Sequence, residues 1–256
     1  MCGTAGTMTR PCRCGQVGEG MVKVVFLPGL DGTGALFPAA LLDMPGVTAL
    51  PMALPDVGDR GYEGLATEIV SELPDGDLVL VAESFSGPIA ALIAARLGSR
   101  IRGVVFVATF LTPPNRFLLG MAQILPLRGL LTLFPVQAIA RTLLFGRLSD
   151  RQIFDRFLEV VAAMPAGRIR ERLRAVGCIP RMAGPIEVPV LYIRAARDWL
   201  VPAGKGEEFS VYFPHLRSVT VDGPHFLLQA RPEECRRLIA AFLEVVGDAG
   251  QGAGHR

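Results

Sequence analysis

Three residues in this chain have types and an order that suit covalent acyl chemistry: Ser84, Asp198 and His225. A serine hydroxyl is a weak nucleophile until a neighbouring imidazole takes its proton, and a carboxylate must hold that imidazole in the productive tautomer. Ser84 lies in Ala82-Glu83-Ser84-Phe85-Ser86-Gly87, between the strand-forming apolar residues 78–81 and an Ala/Leu/Ile run after Pro88 that suits a buried helix. A sharp strand-to-helix turn needs small residues two before and two after its apex, because those backbones nearly touch. Ala82 and Ser86 meet that need around Ser84. With Ser86 at the apex, the second flank would be Pro88, neither small nor conformationally free. With Ser84 there, Pro88 enters the first helical turn, where its missing N–H costs nothing. A serine that merely caps a buried helix would account for Ser and Pro but not for the two small flanks.

The partners sit far along the chain. Asp198 follows an apolar strand at 188–193, in Arg197-Asp198-Trp199-Leu200-Val201-Pro202. His225 follows a strand at 216–221, in Asp222-Gly223-Pro224-His225-Phe226. Taken singly, each has a bland reading: Asp198 as a turn residue and His225 as a loop histidine. Together with the turn at Ser84 they place a nucleophile, an acid and a base at the ends of three strands. Asp222 is a poor rival for the acid because it lies only three residues before His225, on the same strand end. No acidic residue closely follows the strand at 101–108, His215 reads as a surface loop residue, and His255 lies at the end of the chain.

The elements that must position these groups follow in order. A strand at 21–27 runs into the glycine-rich loop 28–34, then a helical stretch at 35–42, a strand at 47–52, a helix at 62–73, the strand and helix around Ser84, and a strand at 101–108. The loop 28–34 lacks the Gly-Lys-Ser/Thr ending of a Walker loop and is not G-x-G-x-x-G, so its better use is to offer backbone N–H groups beside another strand end. The strands are continuously rather than alternately apolar, which predicts a parallel sheet covered by helices on both faces, with ligands at the C-terminal strand edge. Residues 111–180 break the alternation with helical segments at 117–125, 127–134, 138–145, 149–163 and 166–176, a helical cap over that edge whose apolar excess lines a pocket. Within it, the Arg-rich run 168–174 reads as a solvated helix face. A helix at 205–212 and an amphipathic closing helix at 232–246 complete the core. The expected organisation is a disordered tail at 1–20, a core at 21–110 and 181–246, the cap at 111–180, and a frayed tail at 247–256.

On Phe-Leu-Pro-Gly-Leu-Asp-Gly-Thr-Gly (26–34), the turn at 82–87, the segment 197–202 and Gly-Pro-His-Phe (223–226), the chain resembles the helical-cap α/β-hydrolases, in particular the pimeloyl-carrier-protein methyl ester esterases and their carboxylesterase and thioesterase relatives. The resemblance covers about residues 21–246, the cap by position and helicity only. It implies Ser84 as nucleophile, Asp198 as acid, His225 as base, and an oxyanion hole made by the backbone N–H groups of Leu30 and Phe85. It also implies an α/β-hydrolase fold acting on a small-molecule ester, without metal or other cofactor, and the apolar cap suggests that the ester carries an apolar part. The same groups would serve a thioesterase, an acyltransferase or a cofactor-free haloperoxidase, and a non-catalytic binding protein on this fold is the reading from another class. The chain departs from the pattern at Pro28-Gly29, where His-Gly is usual, and in lacking glycine at both flanks of Ser84. No counterpart of the two leading antiparallel strands precedes residue 21, so a sheet of about six strands is expected. Glu83, beside the nucleophile, either packs in a polar pocket behind the turn or influences the titration of His225.

Composition narrows the setting. The chain has 256 residues, half of them apolar, which suits one domain with a large core. A net charge of +2, with both signs interspersed, gives no reason to expect nucleic acid or an acidic lipid surface as a partner. Five cysteines, an odd number without a disulfide spacing, fit a reducing, cytoplasmic setting. Cys12-Arg13-Cys14 has no second pair or nearby histidine to complete a metal site. Residues 1–20 have no apolar core of the kind a secretory signal carries. The uncharged runs at 117–145 fall short of the roughly 18 to 20 residues that a membrane span requires.

Overall fold

Each of the six expected strands forms, and all six pair in parallel. The computed structural model of the protein describes residues 22–56, 61–146, 151–165 and 167–252, so the expected tail at 1–20, with Cys12 and Cys14, lies outside the described residues. Strands β1 (Val22–Leu27), β2 (Val47–Pro51), β3 (Leu78–Glu83), β4 (Ile101–Val107), β5 (Val190–Ala195) and β6 (Leu216–Val221) form one sheet in the order β2-β1-β3-β4-β5-β6. Burial on both faces explains why the inner strands read as unbroken apolar runs: β3 is buried at every residue. Alternate residues feed two cores. Val25, Leu27, Leu80 and Phe106 pack on one face, against residues of helices α2 (Tyr62–Glu72) and α3 (Gly87–Leu97). Val24, Phe26, Val81 and Val105 pack on the other, together with Leu41 of the short helix α1 (Ala39–Leu42) and with Ile239 and Phe242 of the closing helix.

Between β4 and β5 the described residues form helices α4 (Arg116–Ile124), α5 (Leu127–Leu130), α6 (Phe134–Phe145), α7 (Arg151–Ala163) and α8 (Arg168–Gly177). The segment is helical as expected, with two local differences. Helix α6 begins at Phe134, with Pro135 in its first turn, where proline fits, instead of starting at 138. The Arg-rich run is solvated only in part: Arg170 and Arg174 are exposed, whereas Arg168 and Arg172 are buried, because they share the inward stripe of α8 with Val176. The sheet is completed by α9 (Glu208–Tyr212), α10 (Leu227–Ala230) and α11 (Pro232–Gly252). The stretch expected to be helical from 35 is helical only from Ala39, and the closing helix runs on to Gly252, so 247–252 is helix instead of frayed tail. No helix among the described residues is long and apolar enough to cross a membrane.

Candidate active site

The end of β3 builds the turn that the small residues forecast. Ser84 takes φ +48°, a left-handed conformation rare for a residue with a side chain, whereas Ser86 stays right-handed at φ −81°. The strain sits at the residue whose hydroxyl is presented, and the surroundings hold it there. The Thr109 hydroxyl donates to the Ser84 carbonyl, and the Tyr192 hydroxyl donates to the Thr109 carbonyl at 3.0 Å. The Ser86 hydroxyl donates to the Pro28 carbonyl, tying the turn to the loop after β1. Gly87 is small for a reason: a Cβ there would overlap the Thr109 side chain. Pro88 lies in the first turn of α3.

Asp198 leaves the end of β5 and His225 the end of β6, and the two loops are laced together. The Arg197 N–H donates to the Gly223 carbonyl at 2.9 Å, and the Arg197 guanidinium pairs with Asp222. Asp222 is thereby engaged away from the imidazole, and the sequence-predicted acid is the one that meets it. The His225 Nδ1 lies 2.8 Å from Asp198 Oδ2, and its Nε2 lies 2.8 Å from Ser84 Oγ. The other oxygen of Asp198 accepts the Leu200 and Val201 N–H groups at 2.8 and 2.9 Å, which fixes the carboxylate's orientation. The three predicted side chains therefore form one continuous chain, with both His225 and Asp198 side chains almost fully buried.

The two predicted backbone donors lie beside it. Phe85 directly follows Ser84, and Leu30 belongs to a turn after β1 in which the Gly32 N–H bonds the Gly29 carbonyl at 3.0 Å. A Cβ placed on Gly29 would lie 3.8 Å from Ser84 Cβ, which shows how closely this loop passes the hydroxyl.

Burial alone would make His225 harder to protonate, but the charge and hydrogen bond of Asp198, with a further contribution from Glu83, outweigh it and raise its pKa. Glu83 itself is buried behind the turn, where loss of water pushes its carboxyl up to about 7; the hydrogen bond from Gln229 and the His225 charge offset this in part, and Asp31 adds to it. The Gln229 amide donates to Glu83 Oε2 at 3.2 Å. Glu83 therefore packs behind the turn against Gln229, and its charge favours the protonated form of His225. His215 lies at the surface, 3.3 Å from Glu187.

Sequence reasoning missed several supporting groups. Gln229 and the short helix α10 follow His225 without any periodic signal. Thr109 and Tyr192 give none either. The charge pattern puts Arg172 on a solvated face, yet its guanidinium donates to the Leu30 carbonyl at 2.7 Å. From α6, the Leu144 carbonyl accepts the Phe226 N–H at 2.9 Å, and Phe145 stacks on Phe226 with ring centroids 4.3 Å apart.

No protein-family model matches the chain, and no curated protein matches it by sequence. Its architecture is nonetheless shared with solved structures. A hydrolase from Pseudomonas aeruginosa superposes with a TM-score of 0.70 at 16% identity, over 87% of this chain and 90% of that one. The enol-lactonase from Burkholderia xenovorans gives 0.69 at 17% identity, over 90% and 94%. The RedJ thioesterase of the prodiginine biosynthetic pathway in Streptomyces coelicolor gives 0.62 at 21%, over 91% and 95%. The chain has the α/β-hydrolase fold.

Proposed function

We propose that this protein is a serine hydrolase that cleaves carboxylic esters bearing an apolar group, by way of an acyl-enzyme. The observation that carries the reading is the Ser84–His225–Asp198 chain, with 2.8 Å at each link and the hydroxyl at the apex of a strained turn. His225 Nε2 takes the Ser84 proton as Oγ attacks the ester carbonyl, and the carbonyl oxygen becomes an oxyanion facing the N–H groups of Leu30 and Phe85. Collapse of this intermediate breaks the bond to the alcohol oxygen, which receives the proton from His225. Water then enters, gives a proton to His225 and attacks the acyl carbon; breakdown of the second intermediate frees the acid and returns the proton to Ser84 Oγ. The raised pKa of His225 suits it to the base step, since Asp198 stabilises the imidazolium that forms.

In this reading the helices at 116–177 are a cap over the strand edge. The aromatic cluster of Phe145, Phe154, Phe157 and Phe226, adjoining His225, supports an apolar acyl or alcohol part. The RedJ likeness adds a thioester series to the test, because attack on a thioester uses the same groups and differs only in the leaving sulfur.

Hydrolysis of p-nitrophenyl esters from acetate to laurate, by the protein and its Ser84→Ala variant, tests the proposal. Parental turnover that vanishes in the variant, with an optimum beyond acetate, is the expected result. Equal turnover in both would remove Ser84 from the chemistry.

A further inference from the structure

We infer that Arg172, on the helical segment, is a positioning residue for the oxyanion loop, so that the hole is competent only while α8 is seated. This rests on the oxyanion role proposed above for Leu30. Three carbonyls between Gly29 and Gly32 are held by identified donors, beside that of Pro28, which accepts the Ser86 hydroxyl. The Gly29 carbonyl accepts the Gly32 N–H at 3.0 Å within the turn itself. The Gly32 carbonyl accepts the Leu54 N–H at 2.7 Å from the segment after β2. The Leu30 carbonyl accepts the Arg172 guanidinium at 2.7 Å, a charged donor reaching in from a different part of the chain. Of the three, only this bond joins the loop to the helical segment, and it falls on the residue whose N–H must point at the reacting oxygen. The Leu30 N–H belongs to the preceding peptide, whose Gly29 carbonyl is held by Gly32. The Arg172 bond therefore acts by fixing ψ of Leu30, the joint between the two peptides, and with it the course of the turn.

The site is built for that contact. Gly32 has φ +65°, and a Cβ there would overlap the guanidinium, so the absence of a side chain lets Arg172 lie against the backbone. Arg172 is 4% exposed, so the charged donor lies largely out of solvent. Burial, and then the charge of Arg168, lower its pKa, while Asp31, Asp56 and Glu171 oppose that change. One helical turn earlier, Arg168 reaches Asp56 Oδ1 at 3.3 Å, and Arg172 reaches the same oxygen at 3.9 Å. The two arginines thus grip the loops after β1 and β2 from one face of α8. A solvated helix face would leave both in water; here both guanidiniums are buried, and that of Arg172 ends on the Leu30 carbonyl.

The test compares the protein with Arg172→Met, which keeps the buried stem and removes the donors, and Arg172→Lys, which keeps a charge and a donor. The readouts are kcat and KM on the best ester, and the affinity of an alkyl boronate, which forms a tetrahedral adduct on the serine. In Arg172→Met, kcat falls about tenfold to a hundredfold, less than the roughly hundredfold to thousandfold cost of losing an oxyanion donor outright. Boronate affinity falls with it, KM stays within about threefold, and Arg172→Lys recovers part of both losses. A folded Arg172→Met with parental kcat and boronate affinity overturns the inference. So does a loss confined to KM, or a lysine variant no better than methionine. Ester turnover that survives Ser84→Ala strikes instead at the serine reading itself, so the two failures are told apart.

Discussion

The sheet and the helical segment contribute to the site in opposite ways. Ser84, Asp198 and His225 all leave the ends of strands β3, β5 and β6, and the bonds that orient them come from the sheet and the loops at its strand ends: Tyr192 of β5, Thr109 just after β4, and the Leu200 and Val201 N–H groups after β5. The helical segment reaches the site through neighbours, Phe226 on one side and the Leu30 carbonyl on the other. Its two arms also differ in chemistry, an aromatic stack beside His225 and a buried cation beside the loop after β1. Away from those arms it stays open to water: Ile124, Phe134 and Ile139 are each more than 60% exposed, whereas β3 is buried throughout. A scaffold that fixes the reacting groups and a segment that touches only their neighbours should fail differently when damaged.

Asp198→Asn should produce the largest effect. Its Oδ1 equivalent can still accept the Leu200 and Val201 N–H groups, so the fold and melting temperature hold. The group facing His225 Nδ1 becomes a donor, the imidazole adopts the wrong tautomer, and kcat drops about 10³- to 10⁴-fold. Steady-state kinetics beside a thermal melt check this; a melt that collapses would mean that the carboxylate's first duty is structural. Phe145→Ala comes next, acting from the other region. Phe145 is buried and packs on Phe154, Phe157 and Phe226, so its loss should destabilise by about 3 to 5 kcal/mol. The folded fraction should keep kcat within about tenfold, equivalent to ~1.4 kcal/mol in the barrier. A loss of kcat as deep as that of Asp198→Asn would erase the distinction between scaffold and segment.

What the sequence disclosed follows the same division. Parallel strands buried on both faces must be continuously apolar, so the strands announce themselves, and a sharp turn needs small flanks, so Ser84 stands out. Asp198 and His225 then follow from chemistry and strand order. The burial of Arg168 and Arg172 was hidden because charge usually marks the wet side of a helix. What decides otherwise is the set of carbonyls and carboxylates that α8 meets, which lie more than a hundred residues upstream at Leu30 and Asp56. The partner of Glu83 was hidden for a similar reason: Gln229 lies 146 positions away, on a helix of four residues too short to show periodicity.

That buried pair supplies the subtlest difference between the regions, one that acts within the scaffold and without touching substrate. The Glu83 carboxyl is raised from 4.5 to about 7 in the folded protein, so between those values the folded chain holds a proton that the unfolded chain has released. The resulting stability is fully present below 4.5, declines as pH rises, and is gone once pH passes about 7. The slope within that window is about 1.4 kcal/mol per pH unit. Glu83→Gln removes the titration and keeps the shape. Its melting temperature should match the parent's near pH 5 and exceed it near pH 8. Removing a carboxylate that favours the imidazolium should also move the acid limb of kcat/KM to lower pH. A melting difference that is the same at both pH values would mean that Glu83 does not titrate in this window, and an acid limb that stays in place would confine Glu83 to packing behind the turn.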